Sequence, residues 1–262
     1  MKILIFATLI SLTSCWVNLP DEAKTAKSMD EHPTIQKILR EKKSRIFYCG
    51  GSLIRYNWVL TAAHCVLDPF IKLAVYLGII DSRYGPAYWG ADVTLKSDVK
   101  VHSSYNYTNF VNDIAMIYLR TATESIYNAY IGTIPLPKSH VNTNLDGRSS
   151  IVSGFGRTSD NSTQSQFLKY VQLYIASNSV CEGIYGTNVV RDTNICVATT
   201  TTASTCSGDS GGGLTTVLDG TNYVVGIVSF GAAASCEMGY PAGFTRVTSY
   251  LGWIDNQFTS LP

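Results

Sequence analysis

The chain has 262 residues, of which 45% are apolar and only 15% are charged, and its formal net charge is +1. This composition excludes a largely disordered protein, because such proteins are poor in apolar residues and rich in charge. A chain of this length can bury a large core, as one domain or as two small ones. The near-neutral charge, without a sustained basic face, also argues against a nucleic-acid partner.

The N-terminal residues have the pattern of a secretory signal peptide. Lys2 is followed by an apolar run from Ile3 to Leu12, which is too short to span a bilayer but has the length of a signal-peptide core. Small residues before Cys15 permit cleavage near that position, so we assign residues 1–15 to the signal peptide. No later run reaches membrane length, and the sequence predicts a secreted, extracellular chain with no membrane partner.

Cysteine usage agrees with an oxidising compartment. After Cys15, the chain contains an even set of cysteines: Cys49, Cys65, Cys181, Cys196, Cys206 and Cys236. Such a set is typical of disulfide-bonded secreted proteins. Six cysteines allow 15 pairings, and the residues alone do not choose among them.

Short strand-like segments dominate the region between Phe47 and Val247. Valine, Ile and Thr recur in short runs that Gly, Asn and Ser interrupt, which favours β-strands. The clearest segments are WVLTAA, KLAVYLGII, DIAMIYL, RSSIVSGFG, KYVQLYIA and NYVVGIVSFG. No long amphipathic helix separates them, so they predict an all-β protein made of antiparallel barrels or sandwiches.

The connections between these segments and the C-terminus have other patterns. IGTIPLPKSH, residues 131–140, is interpreted as a linker between two halves, and REKKSR, residues 40–45, as a solvated loop. The threonine tract 199–202 is predicted to be a loop. Helical spacing near the end predicts a C-terminal helix that docks on the last barrel; its apolar positions are Val247, Tyr250, Leu251, Ile254 and Phe258.

Three motifs contain the residue types needed for acyl transfer. TAAHC contains His64, NDIAMIYL contains Asp113, and GDSGG contains Ser210. A serine hydroxyl becomes a good nucleophile only when a base takes its proton, and an imidazole titrates near neutrality. A buried carboxylate can fix the tautomer of the imidazole and stabilise its protonated form. The other histidines, His32, His102 and His140, lack metal-ligand spacing and are predicted to be surface or packing residues.

The motifs CGGSLI, WVLTAAHC, NDIAMI, SGFGR, CSGDSGG and GYPAGFTRV occur together and in this order. With them the sequence resembles the chymotrypsin family of serine endopeptidases, and within it the digestive, brachyurin-type enzymes of arthropods. The resemblance runs from Pro33 to the C-terminus and implies two antiparallel six-stranded β-barrels with a C-terminal helix. It places the barrels at residues 33–134 and 135–247 and the helix and tail at 248–262. Residues 16–32 are then a propeptide or an atypical terminus.

The resemblance also implies roles for individual residues. His64, Asp113 and Ser210 form the catalytic triad, and the backbone amides of Gly208 and Ser210 form the oxyanion hole. The implied disulfides are Cys49 with Cys65, Cys181 with Cys196, and Cys206 with Cys236. No metal or cofactor is implied. The expected partners are polypeptide substrates and protein protease inhibitors, and a monomer is expected.

Substrate preference follows from the positions that match the family's pocket. Ser204 lies where trypsin-like members have Asp, and a neutral hydroxyl offers no partner for a buried Lys or Arg. Gly231 leaves the entrance open, and Ala242 makes the pocket slightly shallower than a glycine would. Residues from Ser229 to Gly231 pair with the substrate backbone as an added strand. We therefore expect digestive cleavage after aromatic, Leu or Met side chains.

Asp209, directly before the nucleophile, departs from the family's pattern. In the family this acid binds a new terminal ammonium at an Ile-Val-Gly-Gly-like end. Here the corresponding residues, 21–24, read DEAK, and no Ile-Val-Gly-Gly-like sequence precedes Cys49. Two functions therefore stay open: an active endopeptidase, and a catalytically silent or weakly active homologue with a binding or regulatory role. Without a substitute for that ammonium, we expect weak activity.

Overall fold

The computed structural model describes residues 24–25, 35–42, 45–67, 72–82, 89–93, 95–122, 131–232 and 235–259. The predicted signal peptide, His32 and the segment 16–32 except Lys24 and Thr25 lie outside these residues. The described residues form two antiparallel sheets of seven strands each, together with short helices. None of these helices is long and apolar enough to cross a membrane.

The first sheet comes from the N-terminal half of the chain. Its strands are β2 (Ile35–Lys42), β3 (Arg45–Arg55), β4 (Trp58–Thr61), β5 (Lys72–Leu77), β6 (Trp89–Val93), β7 (Val99–Val101) and β8 (Ala115–Tyr118). They pair in the order β6-β5-β2-β3-β4-β8-β7. The two outer strands, β6 and β7, are consecutive strands in the chain and form the two edges of the sheet.

The second sheet contains a closed barrel. Its strands are β1 (Lys24–Thr25), β9 (Ser149–Gly154), β10 (Lys169–Ala176), β11 (Asn194–Ala198), β12 (Gly213–Leu218), β13 (Thr221–Phe230) and β14 (Ala242–Arg246). The order is β1-β10-β11-β14-β13-β12-β9, and an additional pairing of β10 with β9 closes six strands into a barrel. Strand β1 adds to the outside of β10. The predicted all-β fold is confirmed, and one of the two predicted six-stranded barrels is closed by the described pairings. Closure of the first sheet into a second barrel and the proposed domain boundaries stay predictions.

Alternation along the strands gives each sheet an apolar interior. In β10, Val171, Leu173 and Ile175 are buried, whereas the intervening Gln172 and Tyr174 are more accessible. This period of two is the pattern that predicted the strand. The segment 131–140, predicted as a linker, runs between the sheets, and the Ile134 amide donates to the Leu53 carbonyl at 2.9 Å.

The helices are α1 (Ala63–Val66), α2 (Asn178–Tyr185) and α3 (Leu251–Phe258), and a 3-10 turn, Val247–Tyr250, leads into α3. The predicted C-terminal helix is therefore present. The turn that leads into it contacts β13 of the closed barrel as predicted, and α3 also packs on the first sheet, which was not predicted. The Phe258 ring lies 5.9 Å from that of Trp58 in β4, and the Arg55 guanidinium lies 3.6 Å from the Phe258 ring centroid. Helical spacing identifies an apolar face, but it does not say which surface covers that face.

The prediction of a loop at residues 40–45 is wrong for 40–42 and 45, while residues 43 and 44 lie outside the described residues. Residues 40–42 lie in β2 and Arg45 lies in β3, with Arg40 opposite Phe47 and Glu41 opposite Ile46. Charged composition reports how side chains prefer to be solvated, and it does not prevent the backbone from pairing in a hairpin. Of the other two histidines that are described, His102 packs 5.6 Å from Tyr250, and His140 lies 5.1 Å from Tyr223.

Candidate active site

The three predicted catalytic residues lie in a short helix and in two loops that are connected to the two sheets. His64 lies in α1, three residues after β4 ends at Thr61, and Asp113 lies just before β8. Ser210 lies in the glycine-rich loop that precedes β12. The sulfur of Cys65 lies 3.8 Å from His64 Nε2 and 3.6 Å from the Ser210 carbonyl oxygen. The imidazole and the serine backbone are therefore neighbours.

The His64–Asp113 pair has the geometry of an oriented base. His64 Nδ1 lies 2.8 Å from Asp113 Oδ2, and the His64 backbone amide donates to Oδ1 at 3.0 Å. A carboxylate accepts hydrogen bonds, so the ring proton lies on Nδ1 and Nε2 is left as the basic nitrogen. The Asp113 side chain is fully buried, whereas that of His64 is 25% exposed. The imidazole of His64 is therefore accessible to a substrate, while the carboxylate of Asp113 is shielded from solvent.

Asp113 is held from the second sheet as well. Ser229 Oγ in β13 donates to Asp113 Oδ2 at 2.6 Å, and Thr245 Oγ1 in β14 donates to the Asp113 carbonyl at 2.8 Å. We predicted Ser229 as a substrate-binding residue from its backbone position. Its hydroxyl has a further role that the sequence did not indicate, since it satisfies a buried charge next to the base.

The loop that contains Ser210 is anchored to the first sheet. The Gly50 amide in β3 donates to the Ser210 carbonyl at 2.7 Å, and the Gly211 amide donates to the Val228 carbonyl at 2.8 Å. Gly211 has a φ of +79°, and a Cβ there would lie 2.7 Å from the Gly50 carbonyl oxygen. Only glycine permits this close approach of two backbones at a left-handed conformation.

The two predicted oxyanion donors lie in the same loop. Gly208 has a φ of +105°, which again favours glycine. Among the described residues, neither the Gly208 amide nor the Ser210 amide has an acceptor. Two backbone amides of one loop, two residues apart and without an acceptor in the described part of the chain, are the donors that an anionic oxygen needs.

A cavity of about 320 Å³ opens beside Ser210, and we call it the front cavity. The four predicted substrate-binding residues all line it: Ser204, Ser229, Gly231 and Ala242. Ala242 is buried, whereas Gly231 is exposed just past the end of β13. Phe230 forms part of the wall, and its ring occupies the space that a Cβ on Gly243 would take.

Asp160 also lines the front cavity, and sequence reasoning missed it. Its carboxylate accepts hydrogen bonds from the Cys236 amide at 2.8 Å and from the Ser235 hydroxyl. The Ser235 hydroxyl and the Cys236 amide hold the pKa of Asp160 below its usual value. No motif marks this residue, because its contacts depend on how two distant loops meet.

The three disulfides have the expected partners: Cys49 with Cys65, Cys181 with Cys196, and Cys206 with Cys236. The first joins β3 to α1 and so fixes the turn that contains His64. The third joins two walls of the front cavity. Cross-links of this kind typically stabilise a fold by about 2–4 kcal/mol each.

The Asp209 carboxylate points away from the front cavity, into the protein. It accepts hydrogen bonds from the Gly156 amide at 2.9 Å and from the Cys206 amide at 3.0 Å. The residue as a whole is partly accessible, but its carboxylate is enclosed, and this burial raises the pKa of Asp209 to about 6 although the two amides oppose the shift. A Cβ on Gly154 or Gly156 would overlap this carboxylate, so both positions require glycine.

Two β-sheets with a serine, a histidine and a buried aspartate between them define a chymotrypsin-like serine protease. The family model described as Trypsin matches residues 24–254, and the chain belongs to this family. Brachyurin of Leptuca pugilator is 43% identical over 216 residues, which are 81% of this chain and 88% of brachyurin. Collagenase of Hypoderma lineatum is 36% identical, over 80% of this chain and 76% of that protein.

Solved structures agree with this assignment. The structure of HL collagenase has a TM-score of 0.79 and 33% identity to this chain, and the match covers 92% of this chain and 98% of that one. The family resemblance predicted from the motifs is thus confirmed. The chain is a serine endopeptidase, a hydrolase whose substrates are polypeptides.

Proposed function

We propose that this chain is a secreted endopeptidase that cleaves peptide bonds after aromatic, Leu or Met side chains. The observation that supports this preference is the lining of the front cavity beside Ser210. The lining includes the Ser204 hydroxyl and Ala242, and neither side chain has a carboxylate that could pair with a basic substrate side chain. The carboxylate of Asp160 is already bonded to the Ser235 hydroxyl and the Cys236 amide. The neutral hydroxyl of Ser204 would pair less well with a buried Lys or Arg side chain of a substrate than a carboxylate at that position would, and a poorly paired buried charge is costly.

His64 and Ser210 perform the chemical steps in this proposal. His64 Nε2 takes the hydroxyl proton as Ser210 Oγ forms a bond to the scissile carbonyl carbon. The C–N bond then breaks, and the imidazolium gives its proton to the leaving amine. Water attacks the resulting acyl-enzyme with His64 again as base, which releases the acid and restores Ser210.

Asp113 and the loop amides stabilise the charges that develop in these steps. The 2.8 Å contact between Asp113 and His64 stabilises the imidazolium and keeps its tautomer. The amides of Gly208 and Ser210 bind the oxyanion, and removal of one such donor typically slows acyl transfer by about 10²–10³-fold.

The cellular setting in this proposal is extracellular digestion. Three disulfides suit an oxidising compartment, and the sequence begins with a signal-peptide pattern. Polypeptide substrates and protein protease inhibitors are the partners, and the chain acts as a monomer. Nucleic acids and membranes are not partners.

The preference is tested with matched peptides that differ only in the residue before the scissile bond. We expect kcat/KM to be at least about tenfold to a hundredfold higher for Phe than for Arg, because Ser204 offers no carboxylate to pair with the Arg charge. Ala242→Gly is expected to favour the larger aromatic side chains by about 1 kcal/mol relative to Leu. A preference for Arg over Phe would contradict the assignment of the cavity.

A second candidate function is a catalytically silent homologue that binds polypeptides without cleaving them. The environment of Asp209 favours it, because among the described residues the hydrogen-bond donors to this carboxylate are two backbone amides. An enclosed charge without a cation disfavours the loop arrangement needed for catalysis. In that case the purified chain would bind a peptide substrate but release no product.

A further inference from the structure

Two Asn-x-Thr triplets lie in the described part of the chain and take no part in the chemistry proposed above. They are Asn106-Tyr107-Thr108 and Asn161-Ser162-Thr163. Such a triplet is the acceptor signal for N-linked glycosylation in a secreted chain, and it is compatible with the fold only where the asparagine lies on the surface. The position of each asparagine in the structure therefore determines what a glycan there would do.

Asn106 lies on an exposed loop between β7 and β8. Asn106, Tyr107 and Thr108 are all exposed, and Asn106 Oδ1 accepts a hydrogen bond from the Thr108 amide at 2.9 Å. Asn106 Nδ2, the atom to which a glycan is attached, has no acceptor among the described residues. By contrast, Asn112 in the same loop uses its Nδ2 to donate to the Ser104 carbonyl at 2.8 Å. Asn106 can therefore be modified without the loss of a contact in the described fold.

The fold holds this loop beside the catalytic histidine. The Asn106 amide donates to the Val111 carbonyl at 2.9 Å, which closes the loop at its base. The ring centroid of Phe110, the residue before Val111, lies 6.2 Å from that of His64. It also lies 6.0 Å from the ring centroid of Phe230, which lines the front cavity. A glycan on Asn106 would therefore be attached at the border of the substrate cleft.

Asn161 lies at the border of the same cleft, on a loop of the second half of the chain. It is exposed, as is Thr163, and its side chain makes no hydrogen bond within the part of the chain that the structure describes. The preceding residue, Asp160, lines the front cavity, and its carboxylate accepts from the Cys236 amide at 2.8 Å. The Asp160 amide donates to the Glu237 carboxylate at 2.7 Å. The backbone next to Asn161 is thus tied to the wall of the front cavity.

We propose that Asn106 and Asn161 carry N-linked glycans, and that these glycans restrict the substrate cleft to short or flexible polypeptides. One glycan is attached to the loop that contacts His64, and the other is attached beside the front cavity. Glycans are bulky and lie on the surface. A globular partner must cover about 800 Å² of the surface around a cleft, whereas a short peptide enters the cleft alone. The glycans therefore select which partners reach Ser210 and leave its chemistry unchanged.

The modification is a group transfer with one co-reactant, an oligosaccharide that is linked to a lipid through a diphosphate. The asparagine Nδ2 forms a bond to C1 of the first sugar, and the bond between C1 and the diphosphate oxygen breaks. Nδ2 loses one proton, the lipid diphosphate leaves, and nothing is oxidised or reduced. The transfer takes place in the secretory pathway, so the proposal rests on the secretion and the peptidase function proposed above.

Peptide mapping of the secreted protein tests the modification itself. The full chain is expressed in a eukaryotic host and treated with peptide N-glycosidase in heavy-oxygen water, which converts each glycosylated asparagine into a labelled aspartate. We expect the label at Asn106 and Asn161. Asn178 is the internal control, because it is followed by Ser-Val and its Nδ2 donates to the Arg191 carbonyl at 2.9 Å. This readout does not depend on peptidase activity.

Thr108→Ala and Thr163→Ala remove the two signals one at a time. Both threonines are exposed, and Thr108→Ala keeps the hydrogen bond to Asn106 Oδ1 because its donor is a backbone amide. Each variant is expected to lose the glycan of its own triplet and to keep the other. Thr108→Ser and Thr163→Ser are the matched controls and are expected to keep both glycans, since serine also completes the triplet.

Two reagents that differ only in size test the restriction of the cleft. One is a serine-directed phosphonate that carries a Phe side chain, and the other is the same phosphonate coupled to serum albumin. We expect the albumin conjugate to label the glycosylated parent roughly tenfold more slowly than the double variant Thr108→Ala, Thr163→Ala, and the free phosphonate to label both at the same rate.

The outcomes separate this proposal from the peptidase function. A secreted chain without label at Asn106 or Asn161 would overturn the modification, and equal rates with the albumin conjugate would overturn the restriction. Both results would leave the peptidase function intact, provided the free phosphonate still reacts. A parent chain that carries both glycans and reacts with neither reagent would confirm the modification and contradict the peptidase function.

Discussion

Single glycines determine whether the catalytic loop can form. The enclosed Asp209 carboxylate lies where a Cβ on Gly154 or Gly156 would project. Gly211 is needed for a different reason, since its left-handed conformation lets the Ser210 loop contact β3. The chemistry attributed to Ser210 thus depends on the absence of side chains at positions that take no part in the reaction.

Gly156→Ala tests this dependence. The added methyl group overlaps Asp209, and the loop must shift at a cost of about 1–3 kcal/mol. We expect a lower competent fraction in active-site titration and a lower midpoint of thermal unfolding. Gly183→Ala in α2 is the control, because a Cβ there meets no heavy atom within 4 Å. A Gly156→Ala enzyme with an unchanged competent fraction would show that Asp209 does not position the loop.

The Ser229 hydroxyl is predicted to contribute to turnover through Asp113. Ser229→Ala removes the donor at 2.6 Å from a buried carboxylate while the contact of Asp113 with His64 remains. Hydrogen bonds to charged groups contribute about 1.5–3 kcal/mol, so we expect kcat to fall roughly tenfold or more with little change in KM. Ser150→Ala is the matched control, since Ser150 is also buried but donates to the Leu173 carbonyl. Equal kcat values for the two variants would show that the Ser229 hydroxyl does not contribute to turnover through Asp113.

At the scale of elements, the C-terminal helix stabilises the sheet that contains His64. Val247, Tyr250 and Ile254 are buried in the same apolar cluster as Trp58 and Leu60 of β4. Outside that cluster, Lys138 and Asp255 form an exposed ion pair, which contributes little. Through apolar packing, the helix therefore holds the C-terminal segment against the first sheet.

Ile254→Ala measures this packing. Ile254 is fully buried, and removing its side chain is expected to lower the free energy of unfolding by about 2–5 kcal/mol. Asn256→Ala, at an exposed position two residues later, is expected to change it by less than about 0.5 kcal/mol. Urea denaturation gives both values. A similar small loss for the two variants would mean that α3 contributes little to the core.

The elements differ in how well the sequence predicts them. Strand β10 coincides with the predicted segment KYVQLYIA because its apolar residues alternate against one interior face. For residues 40–42 and 45 the predicted loop is wrong, because their charge gives no information on backbone pairing. The helix α3 was predicted from its spacing, but its docking surface was not, since that depends on residues more than 100 positions away, such as Trp58.

At the scale of the whole molecule, the candidate site lies between the two sheets. His64 and Asp113 come from the first, while Ser210, Ser229 and Thr245 come from the second. The motifs identified the three catalytic candidates because their local sequences are distinctive, and the disulfide pairs followed from the family resemblance. The contacts of Asp160 and of the Ser229 hydroxyl could not be predicted, because each forms only when distant loops and the two sheets come together.

Covalent labelling of the purified chain with a serine-directed phosphonylating reagent tests the proposed peptidase mechanism most directly. The reagent reacts with a serine whose proton is taken by a neighbouring base. We predict one adduct, mapped by peptide mass to Ser210, with labelling and peptide hydrolysis lost together in Ser210→Ala. Labelling that persists in Ser210→Ala, or a parent chain that hydrolyses peptides without an adduct at Ser210, would contradict the mechanism.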